Sequence, residues 1–119
     1  MAATTTERQY RAVLRFARIS PRKVRPIARL VKDLYADDAL EVLDLMPQRG
    51  AKILQRVIHS ARANADDLGE RDLKRLVVRE VRVDDGPRLK RIQPRARGMA
   101  FLIRKRMCHI TVVLAPDTW

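Results

Sequence analysis

The 119-residue sequence has little cysteine and no long uncharged run. Cys108 is its only cysteine, which excludes an intrachain disulfide and a zinc site built from several cysteines. The longest stretch without Asp, Glu, Lys or Arg is the ten residues 107–116, whereas a membrane-spanning helix needs about 20 apolar residues. Residues 1–7 lack a basic stretch followed by an apolar core, so we expect no export signal and a cytoplasmic location.

Aromatic side chains are also scarce, at 4% of the residues. They are scattered rather than grouped, at Tyr10, Phe16, Tyr35, Phe101 and Trp119. This scatter argues against a platform that stacks unpaired bases, and it favours contacts to backbone phosphates and to RNA shape.

Acidic residues are absent from two long segments. Residues 8–32 carry nine Lys or Arg and residues 87–106 carry eight, with no Asp or Glu in either segment. Residues 33–75 hold nine acidic and seven basic residues. The whole chain has 26 basic and 14 acidic residues, a net charge of +12, and self-repulsion of that size indicates a polyanionic partner.

The first basic segment alternates like a strand and then changes to helical spacing. The inward residues of the predicted, half-buried strand are Tyr10, Ala12, Leu14 and Phe16. Ser20 and Pro21 are typical of the N-cap and the first residue of a helix. The apolar positions of that helix are Val24, Ile27, Ala28, Val31 and Leu34. Pro26 should distort it, because proline cannot donate a backbone amide.

Two more helices are predicted in the near-neutral middle of the chain. Asp37 or Asp38 can cap the second helix, which Pro47 closes. Its inward residues are Ala39, Val42, Leu43 and Met46. The third helix spans residues 48–66, before Gly69 ends the helical part. Its apolar stripe consists of Leu54, Val57, Ile58, Ala61 and Ala65.

Strand patterns return after Gly69 and predict a long hairpin. Val77, Val81 and Val83 alternate with Val78, Glu80 and Arg82, the pattern of a strand. Residues 84–87 have the composition of a turn. The β-branched run of residues 109–114 suits a central, buried strand. The two strands should be joined near residues 86–95, an end too poor in apolar residues to pack on the body, so it should project.

These elements predict an α+β fold with three helices packed on a small antiparallel three-stranded sheet and a long protruding β-hairpin. At this length we expect residues 1–119 to form one domain. Its globular body comprises residues 8–83 and 107–115, and the extended hairpin arm covers about residues 84–106.

Catalytic chemistry has poor candidates. Cys108 and His109 are adjacent in a predicted strand, where consecutive side chains point to opposite faces. His59 has no carboxylate at metal-ligand spacing, and no Gly-rich phosphate loop or His-Glu-x-x-His motif occurs. We therefore expect no enzyme, no catalytic residue, no metal site and no cofactor.

Other polyanion binders are alternatives to an RNA-binding protein. The second and third helices could form a helix-turn-helix that presents polar residues to DNA. Those residues are Gln48, Arg49, Lys52, Gln55 and Arg56. The basic arm could also belong to an architectural DNA-binding protein. A third alternative is a membrane-active cationic protein, but the arm has few apolar residues to insert into a membrane.

Several motifs occur in an order that resembles one family. They are residues 17–25 (ARISPRKVR), 60–66 (SARANAD), 83–91 (VDDGPRLKR), 94–98 (PRARG), 103–106 (IRKR) and 109–113 (HITVV). Together they are spread over residues 17–113, most of the chain, and resemble the large-subunit ribosomal protein twenty-two family of bacterial type.

The resemblance implies a structural constituent of the large ribosomal subunit that binds its rRNA, supports assembly and lines the nascent-peptide exit tunnel with the hairpin tip. It implies rRNA contacts at Arg18, Arg22, Lys23, Arg25, Arg95, Arg97, Arg104, Lys105, Arg106 and His109. It implies a tunnel-lining tip made of Arg88, Leu89, Lys90, Arg91, Ile92, Gln93 and Pro94. The expected partners are large-subunit (23S-type) rRNA, neighbouring large-subunit ribosomal proteins and, transiently, the nascent peptide, with no membrane and no obligate homo-oligomer.

Overall fold

Residues 8–117 form three strands and three α-helices in the predicted order. The computed structural model describes residues 8–117; the first seven residues, on which the expectation of no export signal rests, and the last two, Thr118 and Trp119, lie outside the described part. The elements are β1 (Tyr10–Ala17), α1 (Pro21–Val31), α2 (Ala36–Leu45), α3 (Arg49–Asp67), β2 (Leu76–Pro94) and β3 (Ala100–Pro116). The strands form one antiparallel sheet in the order β1-β3-β2. The predicted α+β fold with a long hairpin is confirmed.

The core combines the apolar stripe of α3 with the central strand. All five residues predicted for that stripe are buried, and so are Ile110, Val112 and Leu114 of β3. Gly69 follows the end of α3 with a φ of +87°, a conformation that glycine adopts without steric cost. Its amide donates to the carbonyl of Asp66 at 3.1 Å. The predicted stripe, end of α3 and central strand are thus confirmed.

α1 begins as predicted but differs in two details. Ser20 is the N-cap and Pro21 the first helical residue, although the Ser20 side chain makes no capping hydrogen bond. The helix continues without a break through Pro26, which removes one amide donor but does not end it. Leu34, expected to continue the stripe, lies beyond the helix, because the chain turns at Asp33 with a φ of +67°.

The prediction of an Asp cap for α2 is wrong. Tyr35 is the N-cap, and Asp37 and Asp38 lie in the first turn, where carboxylates still favour the positive end of the helix. A β-bridge between Tyr35 and Val77 fixes this earlier start. Val42, predicted to face inward, is exposed.

The inward pattern predicted for β1 holds only in its first half. Tyr10 and Ala12 are buried, whereas Leu14 and Phe16 are exposed. The pairing register with β3 shifts between Leu14 and Ala17, and Phe16 adopts a φ of +60° there. This bulge changes which side chains face inward, so Ala17 enters the core instead of Phe16.

The hairpin turn lies farther along the chain than predicted. The turn signal at residues 84–87 is part of β2, where the register shifts between Asp85 and Arg88 as a bulge. The chain reverses at residues 95–99, where the amide of Arg95 donates to the carbonyl of Met99 at 2.6 Å. Residues 88–94, predicted to be the tip, are therefore the outgoing strand of the arm and pair with residues 100–106.

Gly86 marks the point where the arm leaves the sheet. A Cβ here would lie 3.0 Å from the carbonyl carbon and oxygen of Met107, a tight contact, so the close approach of the two strands favours glycine. β1 pairs with β3 only as far as Cys108, and beyond the bulge β2 and β3 continue as seven residue pairs, about 23 Å in length. The radius of gyration is 17.8 Å, against about 13.5 Å for a compact chain of this length, consistent with a projecting arm.

Asp117, which follows β3, joins the start of α2 to the residue before β2 at the end of the sheet opposite the arm. Its carboxylate accepts a hydrogen bond from the Tyr35 hydroxyl at 2.7 Å and another from Arg75 Nε at 2.8 Å. These two donors hold the pKa of Asp117 below its usual range. The body is thus closed at one end of the sheet, and the arm extends from the other.

Replacing Ile58 by alanine should strongly destabilise the body, because it removes a fully buried side chain from α3. We expect the free energy of unfolding, measured by urea denaturation, to fall by about 2–5 kcal/mol. The matched change Ile92→Ala, on an arm side chain that is 74% exposed, should cost less than about 0.5 kcal/mol. Equal losses would contradict the division between a packed body and an exposed arm.

Candidate nucleic-acid interface

Basic side chains from three parts of the chain meet in a cleft where the arm leaves the body. This root cleft is lined by the basic side chains of Arg18, Lys23, Arg49, Arg91, Lys105 and Arg106. They come from the start of α1 and the loop before it, from the start of α3, and from both strands of the arm. The cleft has a volume of about 500 Å³, and among residues 8–117 no acidic residue lines it. It is therefore suited to an anion.

Two helices begin beside the root cleft. A Cβ on Gly50, the second residue of α3, would lie 3.4 Å from Ile19 Cδ1 and 3.6 Å from the Lys23 carbonyl oxygen, so the first turns of α1 and α3 are neighbours. Neither first turn contains an acidic residue. Because a helix N-terminus carries partial positive charge, both helix ends add to the positive potential of the cleft.

A second, smaller cleft on the other side of the arm root contains one compensating acid. Arg25 donates to the carbonyl of Val83 at 3.2 Å and pairs with Asp85 at 3.6 Å. Arg22 and Arg88 line the same cleft, whose volume is about 230 Å³. Arg25 thus connects α1 to β2 at the bulge, and its contact with rRNA stays a prediction.

Like charges face each other across the inner half of the arm. The register pairs Arg88 with Arg106 and Lys90 with Arg104. Directly opposite residues of antiparallel strands lie on the same face, so these cations form one patch, and like charges in such pairs destabilise the ribbon. Since most side chains of the arm are exposed, burial does little to offset this repulsion. A polyanion lying on the patch would neutralise these cations and so remove the repulsion.

The outer half of the arm carries apolar side chains. Ile92 pairs with Leu102 on the face of the four cations, and Gln93 pairs with Phe101 on the opposite face. The guanidinium carbon of Arg95 lies 5.8 Å from the centroid of the Phe101 ring. The sequence pattern predicted this half only as part of one acid-free basic segment, and the pairing register separates its two faces.

His109 lies in the body, where it supports the bulge of β1. Its Nδ1 accepts a hydrogen bond from the Phe16 amide at 3.0 Å, and the two rings meet edge to face at 5.0 Å between centroids. One ring nitrogen is therefore already engaged within the protein. The rRNA contact implied for His109 stays a prediction.

The residues predicted to contact rRNA fall into several groups. Those in the root cleft are Arg18, Lys23, Lys105 and Arg106. Arg22 and Arg25 line the smaller cleft, Arg104 belongs to the patch of like charges, and Arg95 and Arg97 lie at the turn. The structure thus brings the two acid-free segments together at the arm root and separates the residues of the turn from them.

Sequence reasoning did not assign Arg49 to this site, and it assigned Arg91 to the tip. Both line the root cleft. From its sequence position, Arg49 was expected to contact nucleic acid only if the second and third helices formed a helix-turn-helix. That alternative loses support, because the arm root stands beside the start of α3, where a DNA groove would have to pass. The only local signal for this proximity is Gly50, which permits the close approach to α1.

The side chains considered for catalysis or metal binding lie in environments that do not suit those roles. Burial raises the pKa of the Cys108 thiol, so the unreactive protonated form predominates at neutral pH. Within residues 8–117, no three His, Cys, Asp or Glu side chains are grouped so that they could hold a metal ion. No helix in the described part of the chain is long and apolar enough to span a membrane.

Comparisons with known proteins match one family over most of the chain. The family model described as ribosomal protein L22p/L17e matches residues 12–115, a range that includes both the body and the arm. Large ribosomal subunit protein uL22 of Rhodopirellula baltica is 51% identical over 111 residues, covering 89% of this chain and 93% of that protein. The protein of the same name from Caldicellulosiruptor saccharolyticus is 46% identical over 112 residues, covering 93% and 92%. The one from Maridesulfovibrio salexigens is 49% identical over 104 residues, covering 87% and 94%.

Replacing Lys90 by glutamate should have opposite effects on the free arm and on RNA binding. Opposite Arg104, a carboxylate turns a repulsive pair into an attractive one, so we expect the arm amides to exchange hydrogen about three to ten times more slowly. Affinity for a folded RNA should fall, because the variant has one cation fewer to neutralise a phosphate. The control Lys74→Glu makes the same charge change at the far end of the sheet and should leave arm exchange unchanged. Slower exchange combined with tighter RNA binding would contradict this account of the patch.

Proposed function

The chain belongs to the ribosomal protein L22p/L17e family, and we propose that its root cleft grips large-subunit rRNA while its arm lines the nascent-peptide exit tunnel. Members of the family are structural components of the large ribosomal subunit, which is cytoplasmic in bacteria. The chain is accordingly a structural, rRNA-binding ribosomal protein and not an enzyme.

One observation supports the proposed role of the root cleft most strongly: six cations from three parts of the chain line one concave space, and no acidic residue of the described part lines it. Arginine is suited to such a site, because its planar guanidinium can hold a phosphate through two hydrogen bonds. A single exposed arginine would contribute little, whereas six cations around one cleft can neutralise several neighbouring phosphates. The cleft therefore suits a bend of the RNA backbone.

The proposal divides the chain into two working parts. The body, residues 8–83 and 107–115, docks on rRNA through Arg18, Arg22, Lys23 and Arg25. The arm, about residues 84–106, continues the contact through Arg104, Lys105 and Arg106. Arg95, Arg97 and His109 complete the set of proposed contacts, and Arg49 is added because it lines the root cleft.

The arm beyond the root is proposed to reach the tunnel. Residues 88–94 form its outgoing strand, and the turn at residues 95–99 extends farther from the body. An exposed ribbon of about 23 Å can pass between rRNA segments where a packed domain cannot. By joining rRNA at the root to the tunnel region and to neighbouring ribosomal proteins, the chain would support assembly of the subunit. The nascent peptide would be a transient partner of the outer arm, and no homo-oligomer is required.

Removing charge from the root cleft should reduce the salt dependence of rRNA binding more than removing the same charge elsewhere. For the triple variant Arg18→Gln, Arg49→Gln, Arg106→Gln, we expect the log–log slope of affinity against salt to become shallower by about 0.7–0.9 for each phosphate that the variant no longer neutralises. The control variant Arg29→Gln, Lys32→Gln, Lys74→Gln removes three exposed charges outside the cleft. Fluorescence anisotropy with a fragment of large-subunit rRNA measures both. Equal slopes for the two variants would show that general charge, and not the cleft, drives binding.

A photoreactive residue in place of Ile92 should crosslink to the nascent peptide in translating ribosomes. Ile92 lies in the outer arm with a 74% exposed side chain, so the probe would replace a group without a packing role. The same probe at Lys74, at the far end of the sheet, should give no nascent-chain product. If position 92 crosslinks only to rRNA or to proteins outside the tunnel, the proposed course of the arm is wrong.

A further inference from the structure

The outer arm exposes one aromatic ring among polar and cationic groups. Phe101 is 51% exposed, and the guanidinium carbon of Arg95 lies 5.8 Å from its ring centroid. Such a cation contact orients the guanidinium over the ring and leaves an aromatic surface open to solvent. The arrangement contributes little to the core of the body, which lies at the other end of the hairpin.

The pairing register adds a hydrogen-bonding group to this ring. Gln93 is directly opposite Phe101, so its amide lies on the same face of the ribbon, and the next residue along that face is Arg91. The other face has Ile92 opposite Leu102, without a polar group in the pair. Only the Phe101 face of these two pairs offers a ring, an amide and guanidinium groups together.

The turn fixes this group of side chains at the end of the arm. The Arg95 amide donates to the Met99 carbonyl at 2.6 Å, and Arg97 and Gly98 both adopt positive φ values, +67° and +70°. Along β3, Phe101 is four residues from Lys105 of the root cleft, a distance of about 13 Å. A nucleic-acid strand held by phosphates at the root can therefore reach the ring.

We propose that Phe101, Arg95 and Gln93 form a binding site for one unpaired nucleobase of the rRNA. The inference rests on the proposed function, and it adds base recognition to the phosphate contacts of the root cleft. The ring stacks against the base, the guanidinium lies close enough to take part in the stack, and the amide can donate to and accept from the base edge. A purely apolar partner would leave the amide and the guanidinium unused, so a base fits the site better than an apolar peptide.

This site changes one conclusion from composition. Scattered aromatic residues argue against a platform that stacks several bases, but a single ring is enough for a single base. The ring at position 101 could not be distinguished from the other aromatic residues until the register placed Gln93 opposite it and the turn placed Arg95 over it.

The test uses the full chain and two nine-nucleotide strands with identical backbones. One strand is abasic throughout, and the other carries a single central 2-aminopurine, whose fluorescence is quenched by stacking. Because stacking on an aromatic side chain is worth about 1–3 kcal/mol, we expect the strand with the base to bind about 5 to 150 times more tightly. Phe101→Leu should abolish this preference and the quenching, whereas Phe101→Tyr should retain both.

Two control variants make the result specific. Phe16→Leu removes a half-exposed ring from the body, and Leu102→Ala removes an exposed side chain from the opposite face of the arm. Both should keep the preference for the base. Equal affinity of the unaltered chain for the two strands, with steep salt dependence, would overturn the base site alone. Weak binding of the abasic strand without salt dependence would instead overturn the proposed RNA-binding function.

Discussion

The arrangement of the arm is governed by positive charges that the chain does not neutralise with its own acidic residues. Arg88 faces Arg106 and Lys90 faces Arg104 across a ribbon whose side chains are mostly exposed, so burial does little to offset their repulsion. Asp85 lines the smaller cleft with Arg88 and Arg106, but it already pairs with Arg25. Such a ribbon is a poor folding unit in isolation. Its counter-charge has to come from a partner, and the phosphates of rRNA supply that charge at a regular spacing.

The body provides the position from which the arm meets that partner. Gly86 lets β2 approach Met107 where the arm leaves the sheet, and Arg25 holds the bulge to α1 through Val83 and Asp85. The starts of α1 and α3 lie side by side at the same place, without acidic residues in their first turns. Packing in the body therefore concentrates positive potential at the root of the arm. Burial alone could not hold the extended ribbon there, so an anionic partner bound at the root would stabilise it.

Features set by local spacing could be predicted from the sequence, and features set by distant pairing could not. The apolar stripe of α3 follows from helical periodicity, and the end of the helix follows from Gly69, a residue type that tolerates the positive φ found there. The exposure of Phe16 depends on a bulge supported by His109, 93 residues away. Residues 84–87 resemble a turn locally, but the glycine there serves a close approach between strands. The two acid-free segments can be read directly from the sequence. The position of Arg49 in the root cleft, beside residues of both segments, depends on how α1 and α3 pack.

A density map of the assembled large subunit containing this chain tests the central claim most directly. The account predicts rRNA phosphate oxygens in the root cleft, at the distance of about 2.7–2.9 Å typical of charge-assisted hydrogen bonds, from the guanidinium groups of Arg18, Arg49 and Arg106. A root cleft that faces open solvent, or that is filled by another protein, would contradict it.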